Sequence, residues 1–140
     1  MRRILSFLLV LYWLSGCSGQ SPKQAGSNAP SELKLIVEAS PRQGFVPFRV
    51  TFRANLEGVP ENDQEHYCLQ EEWDYGDGAK STEQPNCDTF TPETNIKTEF
   101  FAEHTYEKQG NYTVRLVLGD KKVRSRQVSV VVLERSFGSS

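Results

Sequence analysis

Phe48-Arg49-Val50-Thr51-Phe52-Arg53-Ala54-Asn55 alternates strictly between apolar and polar side chains. Successive side chains of an extended strand point to opposite faces. Phe48, Val50, Phe52 and Ala54 therefore line one face, and Arg49, Thr51, Arg53 and Asn55 the other. That is a strand with one side against a core. The same period recurs on both sides of it. Leu33, Leu35, Val37 and Ala39 carry it before, and Tyr112, Val114, Leu116 and Leu118 after, with Thr113 and Arg115 on the wet face. Val128, Val130 and Val132 repeat it near the end. Ile96 to Tyr106 reads as a further strand, in which Phe100-Phe101 leaves the buried face undecided. Leu69, Trp73 and Tyr75 share a face on which Glu71 also falls, so this strand is expected to be only partly covered. No segment carries a 3.6-residue apolar period. Turn-forming stretches lie between the strands: Ser40 to Gly44, Gly58 to Asp63, Gly76 to Gly78, Lys108 to Asn111 and Gly119 to Lys121. Short strands punctuated in this way predict an all-β, antiparallel sandwich.

The N-terminal segment has a different character. Met1-Arg2-Arg3 is positive, and Ile4 to Leu14 is an uncharged apolar run. A membrane-spanning helix needs roughly 20 such residues, so the run reads as a signal peptide. A buried N-terminal helix is the alternative. Leu14-Ser15-Gly16-Cys17 resembles the lipobox of bacterial lipoproteins. The resemblance implies cleavage before Cys17, a diacylglycerol thioether on its sulfur and acylation of the new N-terminus. Several acyl chains, at about 0.8 kcal/mol per buried methylene, make such a tether effectively permanent. Ser18 stands where many inner-membrane lipoproteins carry aspartate, which by analogy implies the outer membrane. Residues 18–31, SGQSPKQAGSNAPS, are rich in Ser, Gly, Pro, Gln and Asn. They read as a flexible tether with a typical span of roughly 20 Å. The expected organisation is a signal peptide over 1–16, lipidated cysteine and linker over 17–31, a folded domain over 32–135 and a tail over 136–140.

Removing Arg2 and Arg3 takes the formal charge of −2 to about −4. A mildly acidic chain argues against nucleic-acid binding. Glu57, Glu61, Asp63, Glu65, Glu71 and Glu72 form an acidic region, and Lys121, Lys122, Arg124 and Arg126 a basic one. Both read as solvated faces, the basic one placed to guard a strand edge. With Cys17 assigned to lipid, Cys68 and Cys87 remain, an even number suited to one disulfide in an exported protein. If Asp77-Gly78 is a two-residue hairpin turn, paired residues sum to 155, and residue 68 faces 87 across the strands. A disulfide is then within reach, although Pro85 cannot donate a ladder bond and should disturb the pairing beside it. A zinc site using His66, Cys68 and Cys87 is the competing reading, short of one ligand.

Three segments resemble the PKD (polycystic-kidney-disease) domain family. Trp73-Asp74-Tyr75-Gly76-Asp77-Gly78 is similar to its W-D-F-G-D-G signature. His104-Thr105-Tyr106 followed by Gly110-Asn111-Tyr112-Thr113-Val114 is similar to its H-T-Y…G-x-Y-T-V segment. Gly44 to Ala54 matches G-x-x-P-x-x-V-x-F-x-A through Gly44, Pro47, Val50, Phe52 and Ala54. Tyr75 replaces the usual Phe, and Gln109 stands where Pro often precedes the glycine. The stretches 63–70 and 85–95 are more individual than the family pattern. The resemblance implies an immunoglobulin-like β-sandwich acting as a binding or spacing module outside the cytoplasm. No catalytic residue can be carried over from it.

Trp73 on a central strand reads as a core anchor, against an exposed stacking platform for carbohydrate. Asp74 and Asp77 could hold a cation, but calcium needs six or more oxygen ligands, so turn hydrogen bonds are the expected role. No phosphate loop, zinc motif or nucleophile elbow is present. No enzyme activity, metal or cofactor is expected. The expected function is binding of an envelope protein or polysaccharide by a membrane-tethered module. The alternative is a structural accessory or spacer in an envelope assembly. His66, Tyr67 and Phe90, in the individual loops, are the candidate ligand contacts, since loops on a rigid sandwich carry recognition.

Overall fold

The computed structural model describes residues 32–120 and 123–136. The signal peptide, Cys17, the linker, Lys121 and Lys122 and the last four residues lie outside the described residues. The described part is built from nine strands and one short 3₁₀ helix. The strands are β1 (Lys34–Ser40), β2 (Gln43–Phe45), β3 (Phe48–Glu57), β4 (Glu71–Asp74), β5 (Lys80–Glu83), β6 (Glu99–Tyr106), β7 (Gly110–Leu118), β8 (Val123–Arg124) and β9 (Val128–Leu133). The helix covers Gln64–His66.

One sheet has the order β1-β3-β6, antiparallel throughout. The second has the order β2-β9-β7-β4-β5, with β8 added to the end of β7. The alternating faces predicted from the sequence are the buried ones. Val50, Phe52 and Ala54 of β3 are fully buried, as are Val114, Leu116 and Leu118 of β7 and Val130 of β9. β1 contributes Leu35, Val37 and Ala39 to the same core. In β6 the ambiguity is resolved: Phe100 enters the core and Phe101 faces solvent. The fold is an immunoglobulin-like sandwich.

Four features depart from the expectations. First, the sandwich is not purely antiparallel. The stretch expected to be a turn after Ser40 crosses to the other sheet, where β2 pairs parallel with β9. Gly44 is required there, because a Cβ at this position would sit 2.1 Å from the Phe48 ring.

Second, Glu71 does not leave its strand half covered. It is one of the largest fully buried side chains, its carboxylate bonded by the Lys97 ammonium. It does not belong to a solvated acidic face.

Third, the hairpin register is shifted by one. Trp73 pairs with Ser81 and Asp74 with Lys80, so paired numbers sum to 154 and not to 155. The Tyr75 N–H then donates to the Ala79 carbonyl, which makes Gly76-Asp77-Gly78 a three-residue loop. Gly76 at φ +81° and Gly78 at φ +95° supply left-handed conformations. At Gly76 a Cβ would also meet the Thr113 backbone at 2.6 Å.

Fourth, β8 was not anticipated. Ser125 joins it to β7: its Oγ accepts from the Leu116 N–H at 2.9 Å, and its own N–H donates to the Leu116 carbonyl. Ser125 thus fills the ladder between the stretches of β7 that pair with β8 and β9.

Strand directions sort the connections between two ends. Lys34 pairs with Glu57, and Glu71 with Glu83 and Leu118. The entry to β1, the loops 58–70 and 84–98, and Gly119-Asp120 therefore share one end. The Gly76–Gly78 loop and the Lys108–Gln109 turn lie at the other.

Candidate binding site

The loop end is organised by its own polar groups. Asp63 caps the short helix, its Oδ1 accepting from the Glu65 N–H at 2.9 Å, while its Oδ2 lies 2.5 Å from His66 Nδ1. Burial pulls the Asp63 carboxyl upward, but the His66 hydrogen bond and charge, with the backbone donors, outweigh it and hold it below the ordinary range. His66 is consequently held rather than free. The Asn62-Asp63 pair was a readable cue for this cap: Asn62 takes φ +58° and Asp63 is a strong N-cap residue.

Cys68 and Cys87 are joined in a disulfide, with Cα atoms 6.0 Å apart. The bond does not arise from the 155 register. The β4–β5 ladder stops at Glu71 and Glu83, two residues before Pro85, and the cysteines meet in the loops beyond it. Cys68 at φ +58° turns its chain toward the partner. With both sulfurs bonded to each other, they are not available to zinc. Among the described residues no three His, Cys, Asp or Glu side chains converge on a metal position.

The candidate contact residues converge only in part. The Tyr67 and Phe90 rings lie 5.4 Å apart at a tilt, and the Tyr67 hydroxyl donates to the Asp88 carbonyl. These two aromatics pack on each other. A cavity of about 250 Å³ lies over the disulfide, lined by His66, Tyr67, Leu69, Pro85, Lys97 and Phe100 among others. Phe90 does not line it. A second groove of about 450 Å³ runs between Val59–Asn62 and Pro92–Thr98, and Asn95 lines both. Lys97, missed in the sequence, connects the site to the core. Its ammonium holds the buried Glu71 carboxylate and lies 5.1 Å from the Phe100 ring centroid.

At the opposite end the signature residues form one connected cluster. Trp73 is buried against Phe52, ring centroids 6.0 Å apart, and is a core anchor. Asp74 Oδ1 accepts from the Gly76 N–H, and Asp77 Oδ1 from the Ala79 N–H. Asp77 Oδ2 lies 2.7 Å from His104 Nε2. These bonds engage both aspartates within the turn. Burial pulls the Asp77 carboxyl up, but the His104 hydrogen bond, the Ala79 N–H and the His104 charge together hold it low.

The His104 ring stacks on Tyr75 at 4.2 Å and meets Tyr106 edge-on at 4.7 Å. The Tyr106 hydroxyl donates to the Tyr75 carbonyl at 3.0 Å, and burial pushes its ionisation upward. Tyr112 stacks on Tyr106 and donates back to the Lys108 carbonyl at 2.8 Å. A tyrosine bonded to backbone four residues upstream is the corner device of immunoglobulin-type sandwiches. Ser81 Oγ is bonded to the Tyr75 hydroxyl and not to His104, so these groups form a packing network and not a nucleophile–base pair.

No curated protein matches the chain. Among solved structures, it is similar to the PKD domain of an M14-like peptidase from a Thermoplasmatales archaeon, with 19% identity, TM-score 0.48, 71% of this chain covered and 92% of that chain. It is also similar to the CARDB domain of a Pyrococcus furiosus protein in complex with di-metal ions, with 8% identity, TM-score 0.48, 74% of this chain covered and 94% of that chain. A family model described as the PKD domain matches residues 34–132, most of the described residues. PKD-type domains are typically non-catalytic immunoglobulin-like modules. Asp77, His104, Tyr75, Tyr106 and Tyr112 join two of the signature segments in one cluster, Phe52 of the third packs on Trp73 and Tyr75, and the chain belongs to the PKD domain family.

Proposed function

We propose that this chain is an extracytoplasmic binding module held to the bacterial cell envelope by lipid on Cys17, in the outer membrane, since Ser18 stands where many inner-membrane lipoproteins carry aspartate.

 The sequence of residues 1–17 supports the anchor, and residues 18–31 support a flexible arm. The arm lets the domain search a shell of roughly 20 Å, which raises its effective concentration near envelope partners. The ligand is an envelope protein or a polysaccharide. The observation that carries the binding reading is the loop end. Two long loops, stapled by Cys68–Cys87, flank a cavity and an adjoining open groove on a rigid sandwich.

One observation favours the spacer alternative: Tyr67 and Phe90 pack on each other and leave little aromatic surface for a ligand. The test is affinity capture of the native, lipidated protein from its membrane, followed by the same capture with His66, Tyr67 and Phe90 all replaced by Ala in a protein shown to be folded. A partner lost on substitution supports binding through the loops. An unchanged partner list removes this surface. Intact mass of the membrane-extracted protein should show loss of residues 1–16 and a gain of acyl mass. An unmodified mass, or a different N-terminus, sinks the anchor.

A further inference from the structure

The sandwich leaves one long strand edge open. β6 is the outer strand of its sheet, and among the described residues no backbone hydrogen bond joins its far side to another segment. The other edges are short or covered. β2 has three residues and β5 four. The edge of β1 is met by the Arg126 N–H, which donates to the Leu35 carbonyl. β6 has eight residues, none of them Pro, Gly or Lys, the residues that usually blunt an edge. In immunoglobulin constant-type sandwiches a fourth strand lies beside the strand equivalent to β6. Here residues 84–98 stand in its place in the chain order, and they form no strand; they carry Cys87 and line the cavities of the loop end.

The outward side chains select the occupant. Glu99, Phe101 and Glu103 alternate along the solvent face of β6, and Phe101 is 57% exposed. Arg53 of β3 reaches Glu99 at 2.5 Å and lies 5.9 Å from the Phe101 ring centroid, while Glu103 makes no ion pair among the described residues. We propose that β6 accepts an extended strand of a partner protein. An apolar side chain of that strand covers Phe101, and Lys or Arg two residues to either side face Glu99 and Glu103. A second copy of this chain fits poorly. Antiparallel pairing of two β6 strands about Phe101 sets Glu99 of each against Glu103 of the other, and directly opposed like charges are destabilising.

The inference rests on the binding reading and names its surface and partner class. Its test uses the purified full chain and three kinds of labelled peptide, read by fluorescence anisotropy. The first probe is Thr-Lys-Thr-Val-Thr-Lys-Thr, the second its twin with Glu for Lys, and the third a pair N-methylated in alternate registers. The lysine peptide should bind about tenfold more tightly than its twin. Glu103→Lys, with an unchanged thermal midpoint, should narrow or invert that preference. One of the two N-methyl registers should abolish binding, because a ladder uses every second peptide N–H. Equal affinity for the twins, or binding that survives both N-methyl registers, overturns the proposal. So does a dimer in sedimentation that the peptide disrupts, since it gives the edge to a second copy. If no peptide binds while native capture still returns a partner lost with the loop substitutions, the edge proposal falls and the tethered binding module stands.

Discussion

Replacing Lys97 by Met tests how the loop end is coupled to the core. The Glu71 side chain is 2% exposed and Lys97 is 52% exposed, so the carboxylate is buried while water reaches the ammonium. Removing one partner of a buried ion pair typically costs about 3–5 kcal/mol, because the other charge is left uncompensated. Water at the Lys97 end screens the pair, which brings the expected loss down to about 2 kcal/mol. For a domain of this size that is a drop of about 8–16 °C in thermal midpoint. Calorimetry or urea unfolding reads it directly. The double variant Glu71→Leu with Lys97→Met should recover most of the loss, since a buried pair replaced by apolar groups is often neutral or stabilising. Lys97→Met alone at parental stability would refute the reasoning, as would a double variant less stable than the single.

Trp73→Ala should cost about 3–5 kcal/mol, enough to unfold a marginal domain, and the parent's tryptophan fluorescence should be that of a buried indole. Cys68→Ala should lower stability by about 3 kcal/mol without abolishing the fold, and non-reducing peptide mapping should recover the linked Cys68 and Cys87 peptides. Asp77 has its carboxyl pKa held below the unfolded value of 3.8, so its contribution is fully present above that pH and is lost as pH falls through the lower folded value. Asp77→Asn should therefore be less stable than the parent near neutrality, with the gap closing below about pH 4 in pH-dependent melts.

Much of the sandwich was legible because its strands are half buried, and a period of two writes itself into β1, β3, β7 and β9. What escaped was whatever depends on partners distant in the chain. Glu71 looked like a defect in an apolar face because its counter-ion lies 26 residues away, and no local pattern announces Lys97. The hairpin register slipped by one because Asp77-Gly78 is a strong two-residue turn signal. Instead Gly76, at φ +81°, joins the loop, and the Tyr75 N–H closes it on the Ala79 carbonyl. The cysteines were paired for a partly mistaken reason. An expected oxidising compartment and their even number argued for a disulfide, but the ladder has ended before either is reached. The candidate contacts His66, Tyr67 and Phe90 lie in the loops at the disulfide end. Sequence could not tell that Tyr67 and Phe90 would spend their surface on each other, or that Asp63 would hold His66.

The crossing of β2 to the second sheet has a mechanical consequence. β2 lies on the N-terminal side of the chain and β9 on its C-terminal side, and they run parallel, with Gln43, Gly44 and Phe45 beside Val131, Val132 and Leu133. The Val131 N–H donates to the Arg42 carbonyl at 2.8 Å and the Val46 N–H to the Leu133 carbonyl at 3.0 Å, one bond at each end of the pair. Tension applied between the two termini draws β2 back toward Pro41 and β9 forward toward Glu134, in opposite senses along a common axis. Such a load falls on all the rungs together in shear, where a hairpin pulled open would surrender them one at a time. A domain held from its N-terminal side and tugged from the other therefore meets force at this short parallel seam, where the chain leaving the first sheet is fastened to the last strand of the second.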